Sequence, residues 1–167
     1  MRSEMFVLGF QTAQMTIAAN LAGISHEESL RQPVQSGNCI NWLAGHILTS
    51  RDGLKIVLGL DGAPALGPDE SAPYKQGSQP LTEPKDGVSL ERLVSELQNA
   101  SSAIVSKLGS MPDSQFDTLL DPKMFPMPVD QPTLANFLTL LLFHEAYHSG
   151  QIGLGRRLLA KPSGLGI

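Results

Sequence analysis

Apolar residues recur every three or four positions over four long stretches of the chain, and no stretch shows a sustained apolar-polar alternation. The pattern therefore predicts helices and no strands. The first helix covers residues 4–22, where Met5, Phe6, Leu8, Met15, Ile17, Ala18 and Leu21 carry the periodicity and Gln11, Gln14 and Asn20 lie among them. The run Met5-Phe6-Val7-Leu8 is broader than one core-facing stripe, which implies cover on two sides. Gly23 is the expected stop. Ser25-His26-Glu27-Glu28 then reads as a capping box that opens a short helix ending before Pro33, with His26 in an exposed first turn.

A second helix, residues 39–60, follows the cap segment Ser36-Gly37-Asn38 and carries Trp42, Leu43, Ile47, Leu54, Val57 and Leu58 on one stripe. At 1.5 Å per residue it is roughly 33 Å long. Residues 61–87 hold Pro64, Gly67, Pro68, Pro73, Gly77, Pro80 and Pro84 and no sustained period, so they read as one long connection. A connection of that length can travel the whole bundle, which lets the third helix run parallel to the second. The third helix covers residues 90–108, is capped by Ser89, displays Leu93, Leu97, Ala100, Ile104 and Leu108, and ends at Gly109 and Pro112. A second Pro-rich segment leads through Asp130 or Thr133 as cap into the fourth helix, residues 134–159. Together these elements predict an all-α four-helix bundle.

Composition narrows the class. With 167 residues, 41% of them hydrophobic, the chain suits one core, so residues 1–167 are read as a single domain. A formal net charge of −4 with only twelve Lys and Arg gives no footprint for nucleic acid or an anionic membrane, and no apolar run approaches the roughly 18 residues of a membrane span. Cys39 is the single cysteine, so no internal disulfide forms; Glu4, Gln11, Thr12 and Gln14 interrupt any apolar leader, and a reducing cytoplasm is the simplest expected compartment.

Candidate chemistry centres on Phe143-His144-Glu145-Ala146-Tyr147-His148. Four residues advance a helix by about 400°, so His144 and His148 project from nearly one face and can share an ion. The string H-E-x-x-H is the zinc-peptidase signature. A peptidase needs a third ligand downstream, and residues 149–167 contain no His, Asp, Glu or Cys; the longer form of the motif fails as well, because Gln151 and Leu154 hold the places of its Gly and third His. A third ligand must come from upstream. Packing the fourth helix antiparallel to the second brings His46 toward the pair, and three imidazoles with an open fourth position are the donor count of a catalytic metal site. Taken singly, each of these histidines is equally a core residue satisfied by one hydrogen bond.

The segments Asn41-Trp42-Leu43-Ala44-Gly45-His46-Ile47 and His144-Glu145-Ala146-Tyr147-His148-Ser149-Gly150-Gln151-Ile152, followed by Arg156-Arg157-Leu158-Leu159 and a proline, resemble the DinB/YfiT-like superfamily of metal-dependent enzymes. The resemblance implies a bundle of up-down-down-up order with a long crossover between helices two and three. It also implies a divalent metal, zinc or nickel, held by His46, His144 and His148. It further implies a metal-dependent enzyme acting on a small molecule, of the low-molecular-weight thiol S-transferase or hydrolase type, with such a thiol as cosubstrate. The alternative is a metal- or ligand-binding module of stress response without turnover. A homodimer is expected from the broad apolar start of helix one and from the dimerism common in that family. Glu145 is either a functional group at the metal, as catalytic acid/base or as the residue that orients an imidazole, or the partner of a basic residue on a neighbouring helix. Tyr147 and Trp42 are expected as packing aromatics, Gln151 as pocket wall, and Gly150, Gly153 and Gly155 as points of close helix approach. Arg156 and Arg157 are expected as surface residues opposing the helix dipole, and Cys39 as a small buried side chain.

Overall fold

The structure is a computed structural model that describes residues 2–33, 37–81 and 83–166. Each predicted long helix forms, and the residues at its ends explain its limits. Helix α1 spans Arg2–Leu21, and Gly23 follows at φ 69°, a left-handed stop that glycine adopts without Cβ strain. Helix α2, His26–Ser29, is a single turn closed by the expected capping box: Ser25 Oγ accepts from the Glu28 amide, and the Glu28 carboxylate accepts from the Ser25 amide. His26 is half-buried there rather than exposed.

Helix α3 spans Ile40–Val57 with Cys39 at the N-cap and no side-chain cap. The N-cap thus falls one residue beyond the expected cap segment 36–38, of which Ser36 lies outside the described residues. Helix α4 is the short Pro68–Ser71. Helix α5, Leu90–Ser110, begins where Ser89 Oγ accepts from the Arg92 amide, and it runs through Gly109 before stopping ahead of Pro112. Helix α6, Leu134–Leu158, is capped by Thr133, not Asp130: Thr133 Oγ1 accepts from the Asn136 amide and the Asn136 side chain accepts in return. Among the described residues no strand forms beyond an isolated antiparallel bridge, Leu119 to Thr133.

Side-chain pairs set the directions. Arg2 meets Asp117 just beyond α5, Ser3 Oγ donates to the Leu108 carbonyl at 2.6 Å and Gln14 bonds Gln98 at 3.0 Å, so α1 and α5 are antiparallel. Gly9 packs on Leu142 while Asn20 bonds the Ser149 carbonyl, so α1 and α6 are parallel. Gly155 abuts Ile40 while Arg51 pairs with Glu145, so α3 and α6 are antiparallel. Asn41 bonds the Val88 carbonyl just before α5 and Arg51 the Leu97 carbonyl within it, so α3 and α5 are parallel. The long crossover makes that last relation possible. It is not the bare connection its sequence suggests: it carries α4 and two 3-10 turns, Ala72–Tyr74 and Pro84–Asp86, and plugs Leu66, Tyr74 and Leu81 into the core.

The apolar interior is two clusters. One gathers Ile17, Leu48, Leu97 and Ile152 with the crossover side chains; the other gathers Phe10, Leu54, Ile104 and Leu138. Between them lies a polar layer in which Arg51, 1% exposed, donates from Nε and Nη2 to both oxygens of Glu145 at 2.8 Å and from Nη1 to Gln14 and the Leu97 carbonyl. All four long helices contribute to this layer.

Candidate metal centre

His46 projects from α3 and His144 and His148 from α6, on the side of the bundle where these two helices face each other. Ligand-capable atoms of the three imidazoles lie within 4.8 Å of one another, and no other described residue joins the group. His46 Nε2 and His144 Nε2 are 3.0 Å apart. Two nitrogens bound about 2.0–2.1 Å from a tetrahedral ion sit about 3.3 Å apart, so a small opening of this pair accommodates one.

The outer atoms of two rings are already occupied. His46 Nδ1 lies 2.9 Å from the Tyr74 carbonyl, which can only accept, so Nδ1 carries the proton and Nε2 presents its lone pair inward. His148 Nδ1 lies 2.7 Å from Gln151 Oε1, with the same consequence. His144 differs: its Nδ1 is buried without a hydrogen-bond partner, which a merely structural core histidine would not tolerate without cost. Burial, with the neighbouring His148 and His46 rings, pushes His144 down to about 4. Burial likewise lowers His148, against a partial offset from Gln151. Both rings are therefore neutral at pH 7, the state a metal ligand requires. Three neutral imidazoles with no thiolate or carboxylate suit zinc, nickel or another first-row divalent ion.

Aromatic rings surround the site. Trp42 stacks on His46 with centroids 4.6 Å apart and planes 14° apart, and Tyr147 meets His148 edge-on at 5.1 Å. Trp42 is the buried packing residue expected, whereas Tyr147 is 57% exposed and borders the site from solvent. Two cavities flank the centre without including its histidines. One, about 720 Å³, is a groove between α1 and α6 over Gly9, Ala13, Ala146 and Leu154; the other, about 470 Å³, lies between the start of α3 and the end of α6 and includes Gln151.

With this geometry in place, comparison with known proteins decides the family. The model of the DinB superfamily matches residues 10–152, which includes all three histidines. The chain belongs to the DinB superfamily. A crystal structure of a conserved protein from Enterococcus faecalis is similar in fold to this DinB-superfamily chain, with a TM-score of 0.73 at 20% identity over 95% of this chain and 96% of that one. No curated protein matches. Among the described residues no helix is long and apolar enough to cross a membrane.

Several side chains sit otherwise than their sequence context implies. Both carboxylate oxygens of Glu145 are held by Arg51, so of its two readings the structure places it in the ion pair. Arg156 is buried, not a surface residue, and its guanidinium donates to the Asn20, Ala22 and Pro162 carbonyls. Gly153 and Gly155 do sit against Asn20 and Ile40, but Gly150 faces open space. Met5 and Leu8 are 73% and 64% exposed, so the start of α1 is covered on one side only, through Phe6 stacked on Phe116. Cys39 is buried as expected, and burial raises its thiol pKa.

The sequence reading missed Arg51, Gln14 and Tyr74. Arg51 and Gln14 were visible as polar residues on apolar stripes, at Ile47-Arg51-Leu54-Leu58 and Phe10-Gln14-Ile17-Leu21. Tyr74 acts here through its main chain, for which sequence carries no signal.

Proposed function

We propose that this DinB-superfamily protein binds one divalent metal, zinc or nickel, through His46, His144 and His148, and that the loaded protein is an enzyme acting on a small thiol. The observation that carries the reading is the convergence of three imidazoles, two of which have the outer nitrogen engaged by an acceptor and the inner one left to ligate. An ion bound there supplies a Lewis-acid position at which a thiol or water is acidified. The chain's own residues keep the His144 and His148 imidazoles neutral by burial, hold the Nδ1 protons of His46 and His148 on the Tyr74 carbonyl and Gln151, and present Tyr147 at the solvent side of the site. Glu145 keeps its role as the counter-ion of Arg51.

Protein loaded with zinc, nickel or manganese is expected to conjugate one of bacillithiol, mycothiol, glutathione or coenzyme A to monochlorobimane faster than the free thiol reacts, with the gain abolished in His148→Ala. Metal content measured by elemental analysis separates the two halves of the proposal. Full stoichiometry retained in His46→Ala or His144→Ala would sink the three-histidine site, whatever the activity.

A second reading, a metal-binding module without turnover, is favoured by the placement of the α1/α6 groove and the α3/α6 cavity beside the histidines and not over them. Tight metal binding with no acceleration across the thiol panel would select it. We further propose a cytoplasmic homodimer with the α1/α6 groove as the shared surface. Its floor is small residues, its rims are the exposed Leu8 and Leu154, and among the described residues Arg157 is the one formally charged side chain in its lining.

A further inference from the structure

The 61–87 crossover touches the metal centre through its 72–78 turn. Residues 72–78 make one contact to His46 itself and two more to its α3 neighbours Trp42 and Gly45. The Tyr74 carbonyl accepts from His46 Nδ1. Trp42, whose ring lies flat on His46, donates from Nε1 to Ser78 Oγ at 2.9 Å, and Ser78 Oγ in turn donates to the Pro73 carbonyl at 2.5 Å. The Tyr74 ring, fully buried, lies where a Cβ on Gly45 would be, since such an atom would stand 2.3 Å from Tyr74 Cδ1. The same tyrosine is pinned at its far end: its hydroxyl donates to Asn41 Oδ1 at 3.0 Å and accepts from the Val88 amide at 2.7 Å.

An imidazole has two free choices, its ring rotation and its tautomer. Here both are fixed by the crossover: the stacked Trp42 sets the plane, and the carbonyl, which can accept and never donate, sets the proton on Nδ1. We infer that the 72–78 turn of the crossover is a built part of the metal site, a positioning device that makes His46 an Nε2 donor aimed at His144 and His148. Gly45 is the residue that admits the device, because any side chain there would push the Tyr74 ring, and with it the carbonyl, off His46. Outer partners of a ligating histidine are typically worth about 10- to 100-fold in metal affinity.

This inference rests on the metal-site reading above, and the test separates the two. Long-range proton-nitrogen NMR of the metal-free protein at pH 8 is expected to find the His46 proton on Nδ1 in the wild type and redistributed between the nitrogens in Gly45→Ala. Zinc affinity, measured against a chelating dye, is expected to weaken about 10- to 100-fold in Gly45→Ala. Gly53→Ala is the control: it lies on the same helix with nothing within 4 Å of the added Cβ. It makes the same helix-favouring change and is expected to bind zinc within twofold of the wild type.

A wild-type His46 protonated on Nε2 overturns the inference outright, as does a Gly45→Ala protein with the Nδ1 proton in place and zinc affinity within twofold. Should Gly45→Ala not fold, Tyr74→Phe keeps the ring but cuts its hydroxyl anchors, and an unchanged tautomer and affinity there overturns it equally. A wild type that binds no zinc, or a His46→Ala variant that binds it normally, instead defeats the metal-site reading, while the tautomer of the metal-free chain still decides the positioning.

Discussion

Glu145→Gln is the perturbation that most cleanly separates a structural carboxylate from a catalytic one. Arg51 and Glu145 are 1% and 2% exposed and joined by two hydrogen bonds of 2.8 Å. Taking such charges out of water costs several kcal/mol per ion, which their mutual attraction roughly offsets, so the intact pair adds little net stability. Removing one member is different, because the other is left charged and buried; that costs about 3–5 kcal/mol. Gln retains one acceptor oxygen, and Gln14 and the Leu97 carbonyl still bind Nη1, so we expect the lower end, about 3 kcal/mol. For a chain of this length that corresponds to a drop of about 6–12 °C in Tm.

Urea unfolding followed by far-ultraviolet circular dichroism, with a chelator present to remove metal linkage, measures the loss. The paired variant Arg51→Met/Glu145→Met removes both charges and is expected to recover most of it, within about 1 kcal/mol of wild type. A Glu145→Gln protein within about 1 kcal/mol of wild type, or a double variant as unstable as the worse single one, would refute the structural assignment and return Glu145 to the metal site.

Acid should destabilise the metal-free protein in a defined window. Burial holds His144 at about 4 and His148 below its ordinary value, so the unfolded chain takes up their protons first, and stability that is complete above about 6.5 is lost as pH falls toward about 4. Urea midpoints between pH 7.5 and 4.5 should fall less steeply in His144→Phe, and an identical slope would count against the assignment. Arg156→Leu strips the Asn20, Ala22 and Pro162 carbonyls of their shared donor and is expected to cost about 2 kcal/mol or more, read as a lower Tm; an unchanged Tm would show that water replaces the guanidinium. Sedimentation equilibrium at micromolar concentration should give a dimer for the wild type and a monomer for Leu8→Asp, and a monomeric wild type would dispose of the α1/α6 interface.

Much of the fold was legible because helix signals are local. A capping box such as Ser25 to Glu28 brings donor and acceptor together within three residues, so reading it needs no tertiary knowledge. The start of α5 was legible for the same reason through Ser89, and that of α6 as either Asp130 or Thr133, of which Thr133 is the cap. Where the prediction slipped, the missing information was three-dimensional: the crossover showed no period, yet Leu66, Tyr74 and Leu81 are buried because bundle surface was waiting for them. Met5 and Leu8 show the reverse, apolar residues that the monomer leaves in water.

The site divides along the same line. Two of the three histidines announced themselves by their i, i+4 spacing, a property of one helix. His46 could be joined to them only by supposing an antiparallel neighbour, and its tautomer could not be reached at all, because the decisive acceptor is a main-chain carbonyl 28 positions away that any residue type could supply. The buried polar side chains stand between these extremes. Arg51, Glu145 and Gln14 each occupy a slot in an apolar stripe, at Ile47-Arg51-Leu54, Leu138-Glu145-Ile152 and Phe10-Gln14-Ile17. A charge or polar group in such a slot is too costly to leave unpaired, so polar breaks in three stripes, at depths that coincide when the helices are laid side by side, imply a shared polar layer. The inference requires only helix directions and the 1.5 Å rise. It would have paired Glu145 with Arg51 from the sequence, and set the three histidines apart from that layer as a group of their own.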